Sequence, residues 1–293
     1  MADCDDIRER VKLERSVYLH GMLPVDLLGG PEEMRRRVPA KVMGRNVEAV
    51  DLTQGFGMGT PLWPYNEDMG TERVRYHARN RVLSQALNNH IMHAATHTDA
   101  PGHVEEEYPL IDEIPLEHYF GKGVIVSIPK KKWGVISPED LEKAEPSIEQ
   151  GDIVIIHTGW HRFWGDSVKY YVYAPGLYKE AGEWFVKKRV KGVGYDTQAA
   201  DHPLGTRIAQ PPALLPWVLE EYKKETGREV SEDFPYWEPC HRLLLTHGIA
   251  NFENVGGDID RVLGKRCTIF AVPVKWLRGD GSPVRIFALL ERR

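Results

Sequence analysis

Ile153-Val154-Ile155-Ile156-His157-Thr158 puts four consecutive branched aliphatic residues between the turn residues Gly151-Asp152 and Gly159. A run this short and this continuously apolar reads as a strand covered on both faces, because β-branched side chains suit the pleated sheet and a buried helix needs about ten or more residues. Working outward, Gly123-Val-Ile-Val-Ser-Ile128, Val190-Lys-Gly-Val-Gly-Tyr195 and Thr268-Ile-Phe-Ala-Val-Pro-Val274 have the same character, and Val47 to Thr53 alternates like a half-buried strand. Helical patterns fall between these runs. Ser137 followed by Pro138, Glu139 and Asp140 is an N-cap signal, and the stretches Gly176 to Val190 and Pro212 to Glu225 carry apolar residues at helical spacing. The expectation is an α/β fold: a single domain with a mixed central β-sheet and flanking helices.

Composition narrows the function classes. At 293 residues and 42% hydrophobic content the chain can bury a large core. Its formal charge of −5 gives no footprint for nucleic acid or an anionic membrane, and Lys130 to Lys132 reads as a solvated turn. The polar start lacks a secretory apolar stretch and no membrane-spanning run follows, so a soluble, cytoplasmic protein is expected. Cys4, Cys240 and Cys267 are odd in number and widely spaced, which suits reduced thiols. Residues 1–46 read as an N-terminal helical arm broken at Leu28-Gly29-Gly30-Pro31, and 47–293 as the main domain, with Lys223 to Asp233 as a surface loop. Gly55-Phe-Gly-Met-Gly59 is a weak nucleotide signal, because no helix clearly follows it.

Chemistry concentrates between His93 and His103, where His93, His97, Asp99 and His103 fall within eleven residues. Imidazole and carboxylate suit zinc, manganese or iron(II), and a histidine beyond a Pro-Gly bend can handle protons beside a metal. His93 and His97 are four apart, a helical spacing, whereas His97 and Asp99 are two apart, a strand spacing. One site can use both only if the backbone changes conformation between them; the alternative is a set of separate surface and core polar residues. His241 and His247 lie on a short expected helix, Cys240 to His247, ended by Gly248, and Glu253 follows; spacing alone cannot bring these to the first cluster.

The pattern His93-x-x-x-His97-x-Asp99-x-Pro101-x-His103 resembles the signature of the metal-dependent cyclase family, which includes bacterial-type kynurenine formamidases and isatin hydrolases. Further likeness runs through Asp51-Leu-Thr, Thr60-Pro-Leu-Trp63-Pro, Gly151 to Trp160, Gly194-Tyr-Asp196-Thr and Asn251-Phe-Glu253-Asn, covering about Val47 to Leu290. The resemblance implies a swivelling β/β/α-like fold, His93, His97 and Asp99 as metal ligands, His103 as general acid/base, and His241 and Glu253, which stand twelve apart, completing a two-metal site. It makes His247 the structural histidine and puts Trp63 in the substrate pocket. Where the family has glycine before Thr96, this chain has Ala95, and it is longer around His161 to Tyr178 and Pro211 to Glu238.

These expectations add up to a hydrolase holding one or two zinc or manganese ions, whose bound water, its pKa lowered toward about 7, attacks the amide-type C–N bond of a small molecule. The same set would open a lactone, and a non-catalytic metal-stabilised binding protein is the alternative from another class. A thiol hydrolase using Cys240 with His241, or an iron(II) oxygenase, uses the same residues differently. Phe56 and Tyr65 read as loop packing, while the aromatic patch Trp160 to Trp164 is a candidate second wall of the site; Arg162 or Arg207 is a candidate partner for a substrate carboxylate. A homo-oligomer, dimer or tetramer, is implied by the resemblance, with the arm as a contact.

Overall fold

Ile153–His157 is a strand in the computed structural model, and all five of its residues are buried. The structure describes residues 40–292. The described residues divide into two compact units, residues 40–68 with 91–292, and residues 69–90. Residues 1–39 of the expected arm, including its Leu28 to Pro31 break and Cys4, lie outside the described residues, and residues 40–46 are not helical but a strand, a turn and the start of a second strand.

The larger unit is built on a ten-stranded sheet in the order β1 (Ala40–Val42), β2 (Arg45–Asp51), β14 (Phe287–Glu291), β12 (Lys265–Phe270), β6 (Phe120–Ser127), β8 (Ile153–His157), β10 (Gly192–Tyr195), β11 (Ala250–Glu253), β5 (His97–Asp99), β13 (Gly281–Pro283). β6, β8, β10 and β11 run parallel and every other pairing is antiparallel, the mixed sheet expected from the apolar runs. The smaller unit contains the hairpin of β3 (Gly70–Arg75) and β4 (Ser84–Asn88), and a two-residue pair, β7 (Val135–Ile136) with β9 (Gly176–Leu177), lies within the larger unit.

Alternation along the parallel strands divides the core. Val154 and Ile156, with Val124, Val126, Val193 and Tyr195, face the helices Pro138–Glu142, Lys179–Lys188 and Pro239–Thr246 through Leu141, Phe185 and Leu244. Ile153 and Ile155 face the other way, joining Ile125, Phe252, Ile269 and Ala288. Each such side chain, once buried, contributes about 1.5–3 kcal/mol, so the parallel strands are held from both sides, as their uninterrupted apolar runs require.

Several boundaries differ from the sequence expectation. The helix expected from Gly176 starts at Lys179, because Gly176-Leu177 is taken up in β9. β12 stops at Phe270 instead of reaching Val274. Lys223 to Asp233 is not a loop: the helix Trp217–Thr226 runs into it and Val230–Asp233 forms a further turn of helix. Nor is Lys130 to Lys132 simply solvated, since Lys130 pairs with Asp140 at 2.7 Å and Lys132 with Glu221 and Glu225 at 2.7 Å each. Ser137 caps its helix as expected, its Oγ accepting from the Asp140 amide at 3.3 Å.

Candidate metal centre

The two conflicting spacings in the histidine run are reconciled at Ala95. Its backbone turns into the left-handed region, φ 53°, and the chain enters β5 two residues later. His97 and Asp99 then share one face of the strand, with His97 Nε2 at 3.3 Å from Asp99 Oδ1, while His93, before the turn, reaches the same carboxylate oxygen with Nδ1 at 2.7 Å. Ala95 therefore sits in a conformation that costs an L-residue roughly 1 kcal/mol or more. Gly281 of β13, facing β5, is needed for another reason: a Cβ there would meet His93 Cε1 at 2.7 Å.

β11 pairs with β5 in the register Glu253 to His97 and Asn251 to Asp99, and this pairing brings the distant candidate ligands together. Glu253 Oε2 lies 3.4 Å from His97 Nε2. Glu253 Oε1 and Asp99 Oδ2 lie 2.9 and 3.6 Å from His241 Nε2. Two triads result, His93–His97–Asp99 and Asp99–His241–Glu253, with Asp99 common to both.

His241 is aimed by Asp201. This buried carboxylate accepts from the Cys240 and His241 amides at 2.8 and 2.9 Å and from His241 Nδ1 at 2.7 Å. It thus caps the helix Pro239–Thr246, whose own N-cap residue Glu238 makes no side-chain cap, and fixes the tautomer that leaves His241 Nε2 free to ligate. His97 Nδ1 is likewise held by the Ala95 carbonyl at 2.9 Å. Asp280, just before β13, lies 2.9 Å from His93 Nε2 and 3.4 Å from His103 Nδ1 through the same oxygen. Asn251 Nδ2 donates to Asp99 at 2.6 Å and Glu253 at 3.1 Å.

Charge follows this geometry. Burial alone would lower His93, but the Asp99 charge and the Asp280 bond push it up to about 10. Burial likewise opposes protonation of His241, and Glu253 and Asp201 override it, holding the imidazole well above its usual range. Asp99, though burial disfavours its charge, is held well below the carboxylate range by His93 and His241. A set of buried carboxylates that binds protons to its imidazoles this firmly is a set that a divalent cation would neutralise in their place. The donors fit a borderline metal: three imidazoles and two carboxylates, each imidazole fixed through its other nitrogen.

His93, His97, Asp99, His241 and Glu253 open onto a cavity of about 210 Å³ walled by Trp63, Tyr171, Gln198, Glu238 and His103. Trp63 meets Tyr171 edge to face at 5.9 Å between ring centres. Gln198 is buried, yet neither end of its amide has a hydrogen-bond partner among the described residues. Burial raises the Glu238 carboxyl above its usual range.

Some candidates fall outside the site. Trp160 to Trp164 packs into an aromatic cluster with Tyr170 and does not line the cavity. Phe56 and Tyr65 are exposed. Arg162 pairs with Asp260 at 2.9 Å and Arg207 is exposed, and neither lines the cavity. Cys240 is buried with its Sγ donating to the Tyr178 carbonyl, and burial raises the thiol well above its usual range, which excludes it as a nucleophile. His247 is exposed at the end of its helix, its Nδ1 on the Leu243 carbonyl at 2.8 Å. Asp201, Asp280, Gln198 and Glu238 escaped the sequence reading. Asn251 carried a usable signal, because it stands two residues before Glu253 on one strand face.

No helix among the described residues is long and apolar enough to cross a membrane. An isatin hydrolase from Roseibium aggregatum is 25% identical over 281 residues, covering 86% of this chain and 95% of the relative. A kynurenine formamidase from Erythrobacter litoralis is 28% identical, covering 80% and 90%. Among solved structures, isatin hydrolase A from Ralstonia solanacearum superposes with a TM-score of 0.66 at 23% identity over 84% of this chain and 92% of that one, a likeness of fold. The family model described as putative cyclase matches residues 50–202, more than half of the chain, and the chain belongs to that cyclase family.

Proposed function

We propose that this protein is a metal-dependent hydrolase that cleaves the amide-type C–N bond of a small molecule, with His93, His97, Asp99, His241 and Glu253 as ligands to one or two zinc or manganese ions and His103 as general acid/base. The observation that carries it is the pair of ligand triads sharing Asp99 at the base of a cavity that His103 walls. The relatives named isatin hydrolase and kynurenine formamidase support the reaction class.

A divalent ion, when bound, supplies Lewis acidity and lowers the pKa of its water. The remaining roles belong to side chains. His103, its Nδ1 toward Asp280, presents Nε2 to the cavity, where it takes a proton from the attacking water and returns it to the leaving nitrogen. Trp63 and Tyr171, in edge-to-face contact with each other, offer an aromatic wall to a flat apolar ring. Gln198 offers one donor and one acceptor, the complement of an amide N–H and C=O, which favours a cyclic amide or imide over a lactone. The reading extends to a homo-oligomeric, cytoplasmic enzyme.

Metal analysis by mass spectrometry together with a hydrolysis screen of isatin, cyclic imides, N-formyl aromatic amines and lactones tests this. His103→Ala should keep the metal and lose turnover by about 10²- to 10⁴-fold, whereas Asp99→Ala should lose both. Full turnover in either variant contradicts the assigned roles.

A further inference from the structure

A second cluster of imidazoles and carboxylates lies outside the cavity. His157 is the last residue of β8, His161 sits in the 3-10 turn Trp160–Phe163, Asp196 follows β10, and Asp260 lies in the turn Ile259–Arg261. None of the four lines the cavity of the first centre. Donor atoms of His157, His161 and Asp196 lie within 4.8 Å of one another.

Asp196 is not itself a free ligand. One oxygen accepts from the Thr158 amide and hydroxyl at 2.9 and 2.6 Å, and the other from the Gly159 and Trp160 amides at 2.8 and 3.0 Å and from His161 Nδ1 at 3.1 Å. With Nδ1–H donated there, His161 presents Nε2 as a lone pair, the arrangement that outer carboxylates impose on metal-binding histidines. His157 Nδ1 lies 3.1 Å from Ser127 Oγ, and its Nε2 is buried without a hydrogen-bond partner. Both Nε2 atoms lie near one carboxylate without a hydrogen bond to it: Asp260 Oδ1 stands 3.3 Å from that of His157 and Oδ2 stands 3.5 Å from that of His161.

We propose that His157, His161 and Asp260 form a second binding site for a divalent transition metal, with Asp196 and Ser127 orienting the two imidazoles. Ligands bonded to one ion at about 2.0–2.2 Å stand about 3–3.5 Å apart in tetrahedral or octahedral arrangements, which is the separation of each imidazole from the carboxylate here. Two imidazoles and a carboxylate suit zinc, nickel or cobalt rather than calcium or magnesium. Asp260 is half-exposed, so water completes the coordination and the ion exchanges with solvent. Arg162, itself more than half exposed, donates to Asp260 Oδ1 at 2.9 Å and is the competing cation that the metal displaces.

The test is equilibrium dialysis of the metal-loaded protein against zinc, with bound zinc counted per chain by mass spectrometry. The wild type should bind one equivalent more than His161→Gln or Asp260→Asn, and both variants should retain the metal and hydrolysis of the first centre. His247→Gln, at an exposed histidine elsewhere, should keep the extra equivalent. Arg162→Gln should tighten it about two- to fivefold, the worth of an exposed ion pair. Asp260→Asn changes a half-exposed side chain, so it reports on binding even where His161→Gln disturbs folding. Equal zinc in wild type and Asp260→Asn, or loss of the extra equivalent in His247→Gln, overturns the site and leaves Asp260 as the anion of an ordinary ion-pair cluster.

Discussion

Gln198 has the least ordinary surroundings of any side chain in the cavity: it is buried and both ends of its amide lack partners among the described residues. Because Gln198 lines the cavity, both ends of its amide are available to hydrogen-bond a substrate that enters it. Gln198→Leu should reduce kcat/KM for a cyclic amide by about 10- to 100-fold and for the matching lactone by less, since a lactone has no N–H to lose; equal losses would remove the specificity role. At this scale the sequence is legible where chemistry is contiguous. His93, His97, Asp99 and His103 stand together in the chain, and β5 keeps them together in space. Asp280 could not be found that way, because an acid between two glycines looks like any exposed turn until β13 brings it beside His93 and His103.

Among the elements, the helix Pro239–Thr246 depends on a side chain from outside it. Asp201 satisfies two of its first amides and also orients His241. Asp201→Ala should therefore cost about 2–4 kcal/mol in urea unfolding and weaken metal binding about 10- to 100-fold; a loss of stability with metal affinity unchanged would separate the two roles and refute the second. The β-branched runs were readable as strands because burial on both faces selects those residues. β13, which is Gly281-Ser282-Pro283, and the two-residue pair β7 and β9 were not, since only their tertiary partners make them strands. The charged stretch after Lys223 was misjudged for the converse reason: its helix buries only a narrow stripe, Val218 and Tyr222, and otherwise looks like a loop.

For the molecule as a whole, acid should be a specific liability. His202 is fully buried against the ring of Phe234 at 4.3 Å, and burial pushes its pKa down to about 3. The unfolded chain binds that proton near pH 6.5 and the folded one does not, so stability falls as pH drops from about 6.5 towards 3. The contribution between pH 7 and 5 is about 2 kcal/mol, and His202→Gln should flatten the urea-derived pH slope by that amount; an unchanged slope would contradict it. Metal and protons also compete for the buried imidazoles of the first centre, so metal should bind more weakly as the pH falls. The most direct measurement is the initial rate of isatin hydrolysis as zinc or manganese is returned to chelator-stripped protein, with metal content counted at each point. A rate that rises from background and saturates at one or two ions per chain is the predicted result. Turnover that is independent of metal content, or a fully loaded protein that hydrolyses no amide in the screen, would contradict the central claim.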